Sequence, residues 1–298
     1  ISWGVLLLFE MAVALYLHRV WRGHDRWLPN WALNLMGLVY LPLLALDILA
    51  SGRAQALRPV LHLALYGLVA KLFSLRRERD KWQVTIGLFV VFLAAMALVL
   101  VADDAYAFMV AWEAMALASY FLVTTEHRIP EIRRAGFLYL LIAHVGAIGI
   151  LLCFGVLQGG SGDYTFAGMR AATLSPAWAS IGFFPALFGF GAKAGIVPLH
   201  VWLPYAHPAA PSHISALMSG VMIKTAIYGL IRVYFDFMGG VFPWWWGFTL
   251  LVAGTVSALL GVMYALMEHD LKGLLAFHSV ENIGIILLGI GAGMIFHT

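Results

Sequence analysis

Apolar runs long enough to cross a bilayer recur along the chain, separated by short polar and basic stretches. A spanning helix needs roughly 20 mostly apolar residues. About ten segments qualify: 2–17, 31–50, 59–75, 82–102, 105–125, 135–157, 178–197, 212–235, 243–267 and 273–296. Segments 82–102 and 243–267 contain no charged residue, whereas 2–17 and 59–75 are the shortest. The pattern predicts an all-α polytopic membrane helix bundle. Between the spans, "QGGSGDYTFAGMRAATLSP" (158–176) reads as the longest loop, and "HPAAPSH" (207–213) as a second irregular stretch. Ser212, at the head of a helical run, fits an N-cap.

Composition agrees with the pattern. The chain is 62% hydrophobic and 11% charged, where a water-soluble domain carries roughly 25% charged residues, and its mean hydropathy is +0.89. Its solvent is therefore the lipid bilayer. A net charge of +3 would point to nucleic acid in a soluble protein. Here the basic residues lie between apolar runs and report topology instead, so no nucleic-acid partner is expected. One set of loops receives Arg19, Arg22, Arg26, Arg76, Arg77, Arg79, Lys81, Arg128, Arg133, Arg134 and Lys272; the alternate set receives Arg53, Arg58 and Arg170. Positive charge marks the cytoplasmic side, which places the N-terminus outside, in a prokaryotic inner membrane. The first apolar run holds Glu10 and ends in "HRVWRGHDR", without the small-residue site of a cleavable signal peptide. The single cysteine, Cys153, excludes an intramolecular disulfide and any CxxC pair.

The informative residues are the polar ones left inside the spans. A charge at the bilayer centre costs about 2.5–3.5 kcal/mol on insertion scales, so such residues face protein or water. Glu113 lies in "MVAWEAMALASYFLV", mid-span, and is either a neutral structural acid or a proton-carrying site. Lys193 lies in "GFGAKAGIVPLHVWLP", five residues before Pro198. A proline lacks the amide hydrogen and breaks a helix over the preceding turn; Gly189, Gly191 and Gly195 loosen the same stretch. A broken helix at membrane depth is tolerated only where it is buried or lines a wet cavity. An amine beside such a break is held charged by a nearby carboxylate and neutral by an apolar surrounding; snorkelling to an interface is the plainer alternative. Lys224, in "ALMSGVMIKTAIYGL", is about midway along its span and the strongest case for an interior lysine. His278 and Glu281 are three apart and share a helix face. His144 is mid-span, either a hydrogen-bonded structural residue or part of a relay. His200, His207 and His213 lack the spacing and further ligands of a metal site. No phosphate loop, HExxH or GxSxG is present, and no cofactor or metal is expected. "FPWWW" (242–246) reads as an interfacial anchor.

Several of these stretches resemble one family. "WEAMALASYFLV", "GAKAGIVPLHVWLPYAHPAAPSHISALMSG", "SGVMIKTAIYGLIRV" and "HDLKGLLAFHSVENIGII" are similar to the antiporter-like proton-translocating subunits. These are the large membrane subunits of respiratory complex I, of membrane-bound hydrogenases such as formate hydrogenlyase, and of multi-subunit sodium/proton antiporters. The resemblance runs from about Ala102 to Phe296, and the "HSVENIG" and "AHPAAPSH" forms are closer to the hydrogenase branch. It implies the family's glutamate at Glu113, its key lysine at Lys193, its connecting lysine at Lys224, and Asp270 and Lys272 at the head of a later helix. It also implies two five-helix repeats of inverted topology, each with a broken helix. The first would be complete over 82–235, with its break near Lys193–Pro198, and the second truncated at Thr298. Residues 1–100 instead resemble the membrane region of transglutaminase-like proteins, through "RPVLHLALYGLVAKLFSLRRERDKWQ". The expected organisation is thus an N-terminal helical region, 1–100, and a partial antiporter-like domain, 101–298.

The resemblance implies a non-catalytic subunit that moves protons for a redox-linked complex of hydrogenase or NADH:quinone oxidoreductase type. Its polar axis would run through Glu113, Lys193, Lys224, His144, His278 and Glu281. Its partners would be other membrane subunits and a peripheral redox arm. A stand-alone exchanger of sodium or potassium for protons, or a non-conducting scaffold, are the alternatives.

Overall fold

The computed structural model describes residues 78–238 and 243–296. The expected spans 2–17, 31–50 and 59–75, and most of the transglutaminase-like stretch, lie outside the described residues. So do the arginines at 19–77 that set the expected topology, and Phe242 of the aromatic anchor. The chain divides into two compact units, Ile1–Val91 and Phe92–Thr298; every candidate site residue belongs to the second.

The described residues are helical, with a single isolated bridge between Asp104 and Thr165 in place of any strand. Seven helical segments are long and apolar enough to cross a membrane, matching the seven spans expected between 82 and 296. They are α1 (Glu78–Val101), α2 (Ala105–Val123), α3 (Pro130–Leu157), the rod that begins as α5 (Pro176–Ala194), α7 (Ser212–Phe237), α8 (Trp244–Met267) and α9 (Leu271–Phe296). The loop expected over 158–176 holds a short helix, α4 (Phe166–Ala171), and another, α6 (Leu203–Ala209), follows the end of α5.

Local chemistry sets the helix starts. Asp104 caps α2 by accepting from Ala107 N–H at 2.7 Å, Thr165 caps α4 through Gly168 N–H at 3.0 Å, and Ser175 caps α5 through Trp178 N–H at 3.3 Å. Each satisfies a donor that the helix cannot. Pro130 and Pro176 stand in the first turns of α3 and α5, where a missing N–H costs nothing. Ser212 does not cap α7: it is the first helical residue, and Pro211 precedes it without a side-chain hydrogen bond. Proline locks the chain in extended geometry there, which sets the start without a capping oxygen. The α7 helix is interrupted by two π turns, Met218–Met222 and Arg232–Phe237.

Lipid removes most of the hydrophobic drive for helix association, so packing depends on close approach of small residues. The α3–α5 crossing shows this. A Cβ on Gly189 would meet Gly146 O at 2.6 Å and Ile150 N at 2.8 Å. The backbones touch, and α2 closes over them through Trp112, Phe108 and Phe190, whose rings meet at 5.4–6.0 Å.

At one end of α7 sits a charged network. Arg170 Nε bonds Asp236 at 2.8 Å, Arg232 Nε lies 3.5 Å from the same carboxylate, and both guanidinium groups lie 3.9 Å from Asp103. Arg232 also donates to Ala102 O and Tyr228 Oη, and stacks 4.5 Å over Phe166. The exposed Arg170 pairs contribute at most about 1 kcal/mol each. Their use here is geometric, joining α4 to the end of α7. In the loop before α4, Thr165 donates to Asp163 and draws its carboxyl below the usual range.

Replacing Gly189 by leucine should force α3 and α5 apart. Overpacking costs about 1–3 kcal/mol, and more where the obstacle is backbone. The expected outcome is a clear fall in Tm of the detergent-solubilised protein, whereas Gly155→Ala, in open space, should leave it unchanged.

Candidate functional site

The site is built around the end of α5. Gly195 adopts a left-handed conformation, φ 78°, that closes the helix. Its N–H and that of Ile196 both return to Gly191 O, at 2.9 and 3.0 Å. After it come Val197, a cis peptide to Pro198, a 3-10 turn at Leu199–Trp202, and then α6. The break exposes backbone groups at membrane depth, and each of those described below has a partner. Val197 N–H donates to Ser257 Oγ of α8 at 3.1 Å. Ala192 O accepts from the Trp202 indole N–H at 2.8 Å. Beyond the C-terminal end of α6, Lys272 of α9 donates to Ala210 O at 2.8 Å and Pro208 O at 3.4 Å.

Lys193 lies one residue before the end of α5 and is 2% exposed. Burial rules out snorkelling to an interface. Its Nζ donates to Tyr139 Oη on α3 at 2.6 Å. The ammonium also faces the Tyr139 ring, 4.8 Å from its centroid, and the Trp112 ring at 6.0 Å. Tyr139 Oη lies 2.5 Å from Ser119 Oγ of α2. Ser119 in turn donates to Met115 O at 2.7 Å or Ala116 O at 2.9 Å. A buried chain of hydrogen bonds therefore joins α5, α3 and α2.

Glu113, on α2, places Oε2 3.6 Å from His144 Nε2 of α3. His144 Nδ1 contacts Leu140 O at 3.0 Å. Lys224 is half-buried; its Nζ takes the Ser219 carbonyl at 2.5 Å, within the first π turn of α7. His278 and Glu281 meet at 2.6 Å on α9. Glu113 and His144 thus meet between α2 and α3, and Lys193 of α5 is held by Tyr139 of the same α3. Lys224 and the His278–Glu281 pair sit on helices of their own, with contacts to their own helix.

Two residues of the site escaped the sequence reading. Tyr139 and Ser119 lie in apolar spans, where a tyrosine or serine carries no cost that marks it out. His207 also acquires a place: its Nδ1 meets Ser215 Oγ at 2.9 Å, in the buried joint between α6 and α7.

The sequence profile of the NADH:quinone oxidoreductase/Mrp antiporter transmembrane family matches residues 102–297. The chain belongs to this family. It is 48% identical over 241 residues to hydrogenase-4 component B of Escherichia coli K12, covering 79% of this chain and 36% of that protein. It is 35% identical over 235 residues to formate hydrogenlyase subunit 3 of the same organism, covering 78% and 37%. The chain therefore spans little more than a third of the length of these relatives. Among solved structures it resembles a chain of the Mrp complex from Dietzia sp. DQ12-45-1b, with a TM-score of 0.63, 25% identity, and 78% of this chain and 27% of that one covered. Family membership and the apolar helices make this antiporter-family chain an integral membrane protein.

The Ser257 hydroxyl has a specific job at the break. Ser257→Ala leaves the half-buried Val197 N–H without its partner, which costs about 1–3 kcal/mol at full burial. A fall in Tm is expected, together with faster hydrogen exchange at the Val197 amide.

Proposed function

We propose that the chain is a proton-translocating module of a redox-linked membrane complex, of hydrogenase or NADH:quinone oxidoreductase type. The observation that carries this reading is a buried ammonium, Lys193, set at a helix break and hydrogen-bonded across three helices, in a chain of the NADH:quinone oxidoreductase/Mrp antiporter family. Burial without a paired carboxylate makes the charged amine costly, so the charge on Lys193 depends on where Glu113 stands. With the carboxylate close, the amine keeps its proton. With the carboxylate drawn away, the proton moves through water toward Lys224. His144, His278 and Glu281 extend the polar axis.

Coupling to redox chemistry needs partners that bias the Glu113–Lys193 pair, because energy passes between distant sites only through states that both sites prefer differently. Those partners are other membrane subunits and a peripheral redox arm. In this reading α1 to α7 form one complete repeat of an inverted pair, and α8 and α9 open a second. Residues 1–100 form an N-terminal helical region preceding the antiporter-like domain, 101–298, and contribute α1 to its repeat. About ten spans cross a prokaryotic inner membrane, with the N-terminus outside. A second reading is a cation/proton exchanger acting alone; the Mrp antiporter side of the family and the resemblance to a chain of a Mrp complex support the exchange chemistry rather than the independence.

Lys193→Ala and Glu113→Gln should each abolish proton translocation in the assembled complex while the complex still assembles. Proton uptake into inverted membrane vesicles measures the first, and native gels the second. Unchanged translocation would sink the reading. Cation-driven proton flux from the purified chain in liposomes, without partners, would move the assignment to the exchanger.

A further inference from the structure

The acid and the base at the centre of the proposed mechanism each have another partner on α3. Lys193 bonds Tyr139, and Glu113 stands against His144. Hydrogen counting fixes how these partners work. The Ser119 hydroxyl has one hydrogen and two carbonyls, Met115 O and Ala116 O, to receive it. With that hydrogen on a carbonyl, its oxygen is free to accept the Tyr139 O–H, and the Tyr139 oxygen accepts from Lys193. The other acceptor near that hydroxyl, Met222 Sδ at 3.7 Å, is weak. The chain ends on backbone carbonyls, which cannot pass a proton on, so it holds the amine rather than conducting from it. The Tyr139 ring is itself fixed, 4.9 Å from the buried Trp202 whose indole caps Ala192 O.

His144 is constrained in the same way. A carbonyl only accepts, so Nδ1 carries the hydrogen toward Leu140 O, and Nε2 faces the carboxylate. A lone pair facing a carboxylate is repulsive. A donor on Nε2 makes the contact attractive.

We propose that Tyr139 and His144 are positioning residues that hold Lys193 and Glu113 apart by supplying each with a substitute partner. Translocation then requires a double exchange: Glu113 leaves His144 as Lys193 leaves Tyr139, and the two meet. This rests on the proton-translocation reading above and adds what opposes the ion pair. Because both substitutes stand on α3, a small rotation of that one helix changes both contacts together.

The test is proton translocation by the assembled complex, with the infrared carboxyl band of Glu113 as a second readout, identified by its loss in Glu113→Gln. Tyr139→Phe keeps the ring against Trp202 and removes only the acceptor. It should reduce translocation at least tenfold and shift the Glu113 band as Lys193 moves onto it. His144→Leu should shift the same band, and His144→Gln, which retains a donor, should restore part of the rate. Ser119→Ala, which leaves the ring untouched, should slow translocation several-fold. Wild-type rates and an unmoved band in Tyr139→Phe or Ser119→Ala would overturn the exchange. If Lys193→Ala were inactive at the same time, the translocation reading would stand without it; if Lys193→Ala translocated normally, that reading itself would fall.

Discussion

Within a bilayer every backbone N–H and C=O needs a partner from the protein, and this requirement governs the molecule. An unbroken helix meets it automatically. The rod that begins at Pro176 does not, because it stops at Ala194 and resumes at Leu199. The groups freed there are met by Ser257 of α8 and by Trp202 from the turn itself, and Lys272 of α9 takes carbonyls at the far end of α6. The break is thus a joint whose polar groups are shared with neighbouring helices. Lys193 stands one residue before it.

The contrast between the two sets of charges follows from their surroundings. Arg170, Arg232, Asp103 and Asp236 form a network at the end of α7, where each contact is worth little and the gain is in alignment. Lys193 is enclosed by aromatic rings and hydroxyls. There a change of one partner alters the energy by several kcal/mol, because water cannot substitute. A side chain used to respond to its partners needs the second environment.

Much of the architecture was legible in the chain. Seven spans could be placed from apolar length alone, since lipid leaves few alternatives to a helix. Pro198 and the glycines around Lys193 pointed to the interruption, and the spacing of His278 and Glu281 anticipated their contact at 2.6 Å. What was not legible depends on the partner across a helix interface. Tyr139, Ser119 and Ser257 are mild residues in apolar runs, and only the crossing of α2, α3, α5 and α8 gives their hydroxyls a task. The Ser212 cap was misjudged because Pro211 ends the preceding extended stretch by itself. The helix within 158–176 was hidden by its brevity, and its Thr165 cap becomes visible only beside Asp104.

Lys272 carries one more consequence. Its backbone belongs to the first turn of α9, yet its ammonium grips the carbonyls at the far end of the short helix beyond the break. An axial displacement of α9 therefore tugs that short helix, and the α5 terminus with it, like a rod pulling on a hinged flap. Mechanical strain arising in the following half of the bundle would reach the break through this lysine, alongside the Ser257 bond from α8.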